Sequence, residues 1–325
     1  MNVQAAFLVQ AGWSAAEVAP IASDASDRQY VRLHRPDGAT GVLMRAPVAT
    51  SRTARRQFDA FRDVGAWLRG LGLGAPEELS ADPENGLMLL EDLGDMPLSR
   101  LLEEGRRDAR RAYAAAVAVL AGVAQAPPPE GLARPDATEM AAMTGLTFEQ
   151  LPGSKALGEA LQAALACHLV RIEGDGAVSL RDVHGDNLMW RPERAGLERI
   201  GLLDFQDALI LPDGYDIASL LDDPRRTVPE QWRRDLIAAY ARRRGKPVRE
   251  MNNRVDLLSL QRNLRVLGIF RRLATEKGRP SYARFQPRTR ALLWRAAAHP
   301  DLPDLQPLVA DLLDRTEHWQ GEHAA

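Results

Sequence analysis

Three side chains at fixed intervals in the middle of the chain are of the types that move a phosphoryl group. Arg181-Asp182 is followed by Asn187, five residues after the aspartate, and Asp204 lies 22 residues after Asp182. Phosphoryl transfer from ATP needs a carboxylate beside the attacking hydroxyl, plus a carboxamide and a second carboxylate that hold magnesium against the phosphates. Asp182 can supply the first, Asn187 the second and Asp204 the third. A short β-hairpin turning near Arg194-Ala195-Gly196 separates the two metal candidates.

The order R-D-x-x-x-x-N and then D-F-x follows the protein-kinase pattern. With the preceding helix, the hairpin and the second aspartate in sequence, the chain resembles the aminoglycoside phosphotransferase family of the protein-kinase-like fold. Leu180 stands where a histidine usually opens the catalytic loop, and Gln206 where D-F-G has its glycine. The family's H-G-D triplet can also be laid on His184-Gly185-Asp186. Five residues after Asp186, however, stands Arg191, which cannot ligate magnesium, so Asp182 is the base candidate. The segment Gly214-Tyr215-Asp216-Ile217 resembles the family element whose aspartate hydrogen-bonds the catalytic-loop backbone, a role compatible with capping a helix.

The resemblance also implies an ATP site in the first 95 residues. The stretch from Ala22 to Tyr30 lies where a kinase folds a glycine-rich loop over the phosphates. It contains no glycine, but Ser23, Ala25 and Ser26 are small enough for backbone N–H groups to approach a phosphate. Val42-Leu43-Met44-Arg45 takes the place of V-A-I-K. No lysine precedes Lys155, so Arg45 would do the lysine's work, with Arg28 its rival, and Asp59 or Asp63 would pair with Arg45. Leu89 to Gly94 reads as the hinge, where Glu91 and Leu93 would receive adenine through their backbone.

The acceptor is suggested by charge and by a narrower likeness. Residues 261–290 carry eight arginines and one lysine against one glutamate, a formal +8, which would repel a polycationic aminoglycoside and tolerate an anionic or neutral sugar. The string from Leu260 to Leu273, with Tyr282 and Pro287-Arg288, resembles the bacterial anomeric N-acetylmuramate/N-acetylglucosamine kinases of cell-wall recycling. So do Asp24-Ala25-Ser26, Leu90 to Asp95 and Leu203 to Ala208. That likeness implies phosphorylation of the C1 hydroxyl with ATP and Mg2+, and makes His184, Asp207, Arg262 and Arg265 candidates for contacting the sugar. Another small-molecule kinase of the same fold and a nucleotide-binding pseudokinase are the competing readings.

These residues need elements to hold them. Apolar spacing predicts helical structure over residues 3–19, with Ser14 capping a second short helix, then a hairpin at 29–44, a helix at 52–71 and another hairpin about Asp82 to Gly86. Helical patterns then dominate, at 97–126, 136–171, 214–222, 229–244, 251–275 and 287–298. The expected fold is α+β and two-lobed: a small sheet-rich nucleotide-binding lobe over residues 1–95, and a large helical lobe over 96–325 carrying the catalytic loop and substrate site. With 45% hydrophobic and 26% charged residues, and a formal charge of −2, the composition is that of a globular protein with no general attraction to nucleic acid or membrane. The lone cysteine, Cys167, suggests a reducing, cytoplasmic setting. The sequence leaves the oligomeric state open.

Overall fold

The computed structural model describes residues 2–21 and 28–320. By compactness the chain falls into two units, residues 1–100 with 186–208, and residues 101–185 with 209–325. Residues 186–208 therefore group with the sheet.

The first unit begins with α1 (Val3–Gln10), capped by the Asn2 side chain, which accepts from the Gln4 N–H. The helix stops there, where Gly12 takes a left-handed φ of 75°, and the second short helix expected up to residue 19 does not form. Residues beyond it pair as strand β1 (Glu17–Pro20) with β2 (Gln29–His34), so Ser14 caps no helix. β2 pairs with β3 (Thr40–Arg45), and after α2 (Arg52–Gly70) come β4 (Glu78–Asp82) and β5 (Leu87–Glu91). The antiparallel sheet runs β1-β2-β3-β5-β4.

Alternation decides what each strand residue faces. Leu33, Leu43, Leu87 and Leu89 point to one side, where Phe7, Leu8 and Trp13 cover them. Gly41 lies on that side too, and a Cβ there would meet the Trp13 ring at 3.0 Å. Arg45, two residues beyond Leu43, shares this face. Ser51 caps α2 by accepting from the Ala54 N–H, and the helix buries Phe58, Phe61, Gly65 and Leu68 along one stripe.

The chain continues through α3 (Leu98–Glu103), α4 (Ala109–Gln125), α5 (Ala137–Ala142), α6 (Gly145–Glu149) and α7 (Lys155–Glu173) to β6 (Gly176–Ser179). The helices expected at 97–126 and 136–171 are thus interrupted. Gly105 and Gly153 adopt left-handed φ values of 61° and 75°, and Pro152 cannot donate to a continuing helix. A ribbon in the first unit follows, β7 (Leu188–Trp190) against β8 (Ile200–Leu202). Then β9 (Leu209–Pro212) pairs with β6, and α8 (Tyr215–Leu221), α9 (Glu230–Arg243), α10 (Val248–Thr275), α11 (Gln286–Ala297) and α12 (Leu305–Arg315) complete the second unit.

The long α10 forms the spine of that unit, packing with α6, α8, α9 and α11. Gly268 permits the approach of α6: a Cβ there would lie 2.5 Å from the Thr147 backbone nitrogen. One turn away, the Thr147 hydroxyl donates to the Leu264 carbonyl. α10 is unusual in burying polar side chains, Ser259, Gln261, Arg262 and Asn263 among them.

Candidate active site

In the first unit the metal candidates sit at one end of the ribbon. The Leu203 N–H donates to the Asn187 carbonyl at 2.9 Å, extending the β7–β8 pairing by one step and setting Asn187 beside the segment that opens with Asp204. Asp204 is in the left-handed region, with φ 58°, which an aspartate tolerates better than most residues. The next residue, Phe205, is fully buried and stacks on Phe61 of α2 with ring centroids 4.6 Å apart. Gly65 admits it: a Cβ there would touch the Phe205 ring at 3.3 Å. α2 thus fixes the backbone on which Asp204 stands.

The Asp204 carboxylate is held from one side. Arg28 Nη2 donates to Oδ1 at 2.7 Å and Gln206 Nε2 donates to the same oxygen at 2.9 Å. Arg28 Nη1 donates in turn to Gln206 Oε1 at 2.9 Å, closing a triangle. Asp207 is tied to α2, accepting from Gln57 Nε2 at 3.2 Å and from Gln206 Nε2 at 3.3 Å.

The two arginines proposed for the phosphates therefore differ. Arg45 Nη1 donates to Gln4 Oε1 of α1 at 2.9 Å, and among the described residues no ion pair joins it to Asp59 or Asp63. The pairing expected from sequence is not formed because strand alternation turns Arg45 to the face that α1 covers. Ser23, Ala25 and Ser26 lie outside the described residues. At the segment expected to form the hinge, the Glu91 carboxylate accepts from Arg191 Nη2 at 2.6 Å, and the buried Leu93 approaches the ribbon at Gly201, where a Cβ would come within 2.9 Å of its Cδ1.

In the second unit, Asp182 follows a strained corner, for Arg181 has φ 71°. Asp216, in the first turn of α8, secures it. Its carboxylate accepts from the Ser179 hydroxyl at 2.5 Å and from the backbone N–H groups of Leu180 at 2.8 Å and Arg181 at 3.1 Å. Burial pushes the Asp216 carboxyl up to about 6, against the pull of those donors and of Arg262.

The Asp182 carboxylate shows the opposite balance. Partial desolvation works against its charge, its side chain keeping 42% exposure, and His184, Arg262, Arg225 and Arg265 together hold it well below the usual carboxylate range. Arg262, 1% exposed, brings Nη2 to 3.6 Å from Asp182 Oδ1, and its Nε and Nη1 have no hydrogen-bond partner among the described residues. Arg265, one turn further along α10, is half-buried and forms no hydrogen bond or ion pair among the described residues. His184 is buried. Arg225 was not legible as a site residue. It pairs with Asp223 at 3.0 Å and lies over the Phe270 ring at 5.1 Å. Its only sequence signal is its place just past α8, in Asp222-Asp223-Pro224-Arg225-Arg226.

A sheet with an inserted helix, a ribbon carrying Asn187 and Asp204, and a braced loop carrying Asp182 define a kinase-like phosphotransferase. Residues 17–251 match the phosphotransferase enzyme family, and the chain belongs to it. It is 34% identical to an N-acetylmuramate/N-acetylglucosamine kinase of Caulobacter vibrioides, over 93% of this chain and 94% of the relative. It is 31% identical to the protein of the same name from Pseudomonas aeruginosa, over 94% and 92%. The fold is similar to that of the ADP-bound aminoglycoside phosphotransferase APH(2'')-Ib, with a TM-score of 0.63 and 11% identity over 98% of this chain and 99% of that one.

Proposed function

We propose that the chain is an ATP- and Mg2+-dependent kinase that phosphorylates the C1 hydroxyl of N-acetylmuramate or N-acetylglucosamine during cell-wall recycling. The observation that carries the acceptor is similarity along nearly the full length of relatives bearing that name. Residues 1–95 serve as the nucleotide-binding lobe and 96–325 as the lobe with the catalytic loop and acceptor site. The setting is the cytoplasm, where ATP is available and a lone thiol such as Cys167 stays reduced. Among the described residues no helix is long and apolar enough to cross a membrane.

Asp182 accepts the proton of the sugar hydroxyl as its oxygen bonds to the γ-phosphorus and the bond to ADP breaks. Its cationic neighbours keep it ionised and ready for that proton. Asn187 and Asp204 hold Mg2+, an oxygen-donor pair of the kind magnesium uses when phosphates and water complete its shell. When bound, Mg2+ neutralises phosphate charge. Arg28, with amides at Ser23, Ala25 and Ser26, holds the phosphates. Arg45 is the lesser candidate, since its guanidinium is engaged with Gln4. The Glu91–Leu93 backbone receives adenine. Arg262, Arg265 and His184 orient the sugar, whereas the bonds of Asp207 to Gln57 and Gln206 favour a supporting task.

The test is a phosphorus-NMR assay with ATP, Mg2+ and each free amino sugar. Appearance of an α-linked or β-linked sugar-1-phosphate supports the assignment. Transfer only to an aminoglycoside, or no ATP turnover with any acceptor, would replace it with the corresponding rival reading.

A further inference from the structure

The triangle of Arg28, Asp204 and Gln206 does more than hold a side chain still. Arg28 and Gln206 are 8% and 6% exposed, while the Asp204 side chain keeps 36% exposure. Both donors converge on Oδ1, and Oδ2 receives no hydrogen bond among the described residues. The Gln206 amide must point its carbonyl at the guanidinium and its NH2 at Asp204 and Asp207, since the reverse would set donor against donor and oxygen against carboxylate. Glycine at this position, as in D-F-G, could make neither bond.

We propose that Arg28 and Gln206 are positioning residues that couple metal binding to nucleotide binding. Gln206 anchors Arg28 against Oδ1, which leaves Oδ2 as a one-oxygen metal ligand and largely cancels the charge of Asp204. A divalent cation alone meets a carboxylate whose charge Arg28 already offsets, with Asp207 engaged by Gln57 and Gln206, and binds weakly. A nucleotide polyphosphate offers the guanidinium a stronger anion, draws it from Oδ1 and restores the full carboxylate charge to the metal. The coupling is reciprocal, so metal tightens nucleotide by the same factor. This rests on Asp204 as a metal ligand and on a nucleotide as the donor.

The experiment titrates the full chain with Mn2+ by electron paramagnetic resonance, without and with ADP, for wild type, R28Q, Q206L and D204N. Wild type should bind Mn2+ alone weakly and about tenfold or more tightly with ADP. R28Q, freed of a unit positive charge next to the ligand, should bind Mn2+ alone at least about tenfold more tightly than wild type and lose most of the coupling. Gln206→Leu leaves both charges in place but unanchors Arg28, and should fall between the two, which keeps the idea testable should R28Q fail to fold. Unchanged or weaker binding of Mn2+ alone in both variants overturns the coupling. Full Mn2+–ADP binding by D204N is a separate failure, that of Asp204 as ligand.

Discussion

At the scale of single residues, Asp182, the proposed base, has its charge secured by its surroundings. A carboxylate held well below its usual range by His184, Arg262, Arg225 and Arg265 pulls weakly on a proton in the ground state, so in the proposed role it would chiefly hold and orient the hydroxyl until the transition state. Asp182→Asn should leave nucleotide affinity nearly intact and lower turnover by about 100-fold or more; turnover within threefold of wild type removes it from this role. Because its cationic neighbours hold the Asp182 carboxyl below the ordinary carboxylate range, its protonation should put no acid limb on the profile of kcat/KM above about pH 5. The two small-lobe arginines separate by their partners. Arg28 adjoins Asp204 and Arg45 adjoins Gln4, so Arg28→Ala should raise the KM for ATP more than Arg45→Ala does. The reverse ranking, in steady-state kinetics under one buffer, would return the phosphate contact to β3.

At the scale of elements, the loop before Asp182 depends on the first turn of α8. The raised carboxyl of Asp216 gives a sign to test. Its folded value of about 6 exceeds the unfolded value of 3.8, so the folded state keeps this proton longer. Its contribution favours folding at low pH and is lost as pH rises through about 6. The advantage of wild type over Asp216→Asn in unfolding free energy should therefore shrink between about pH 4 and pH 6, by on the order of 1–3 kcal/mol. Parallel denaturation curves across that range would show that the carboxyl does not titrate there. The same element shows what sequence could reveal. Asp182, Asn187, Asp204 and Asp216 lie within 35 residues, and their order alone singled them out. The bond from Arg28 to Gln206 spans 178 positions, which no local spacing encodes. The face taken by Arg45 was legible in principle, for it has the parity of Leu43, but the covering helix α1 was not. Helix breaks at Gly105 and Gly153 were signalled by their residue types, and were hidden by apolar periodicity running on across them.

At the scale of the molecule, a formal charge of −2 conceals a local excess that the fold sorts by partner. Of the arginines in residues 261–290, Arg271 lies over Trp319 and Arg284 over Phe285, Arg272 pairs with Glu276, Arg288 donates to the Arg226 carbonyl and Arg290 to Thr316. Two, Arg262 and Arg265, act on Asp182, joined by Arg225 from outside the segment. Arg225 is matched by Asp223, which leaves Arg262 and Arg265 beside the single carboxylate of Asp182, and Arg265 has no ion pair among the described residues to hold it back. In the acceptor site proposed beside Asp182, a substrate carrying a carboxylate would gain, because a guanidinium binds it through two charge-assisted bonds. N-acetylmuramate should accordingly be phosphorylated at least as well as uncharged N-acetylglucosamine, and polycationic kanamycin poorly. A sheltered contact of this kind is worth roughly 1.5–3 kcal/mol, or about 10- to 100-fold in specificity. Added salt should narrow the gap only modestly, since a half-buried pair is screened less than a surface one. Specificity constants for the three compounds, compared at low and high salt, decide the matter: a clear preference for kanamycin would mean that these arginines do not face the acceptor, and would favour an aminoglycoside kinase instead.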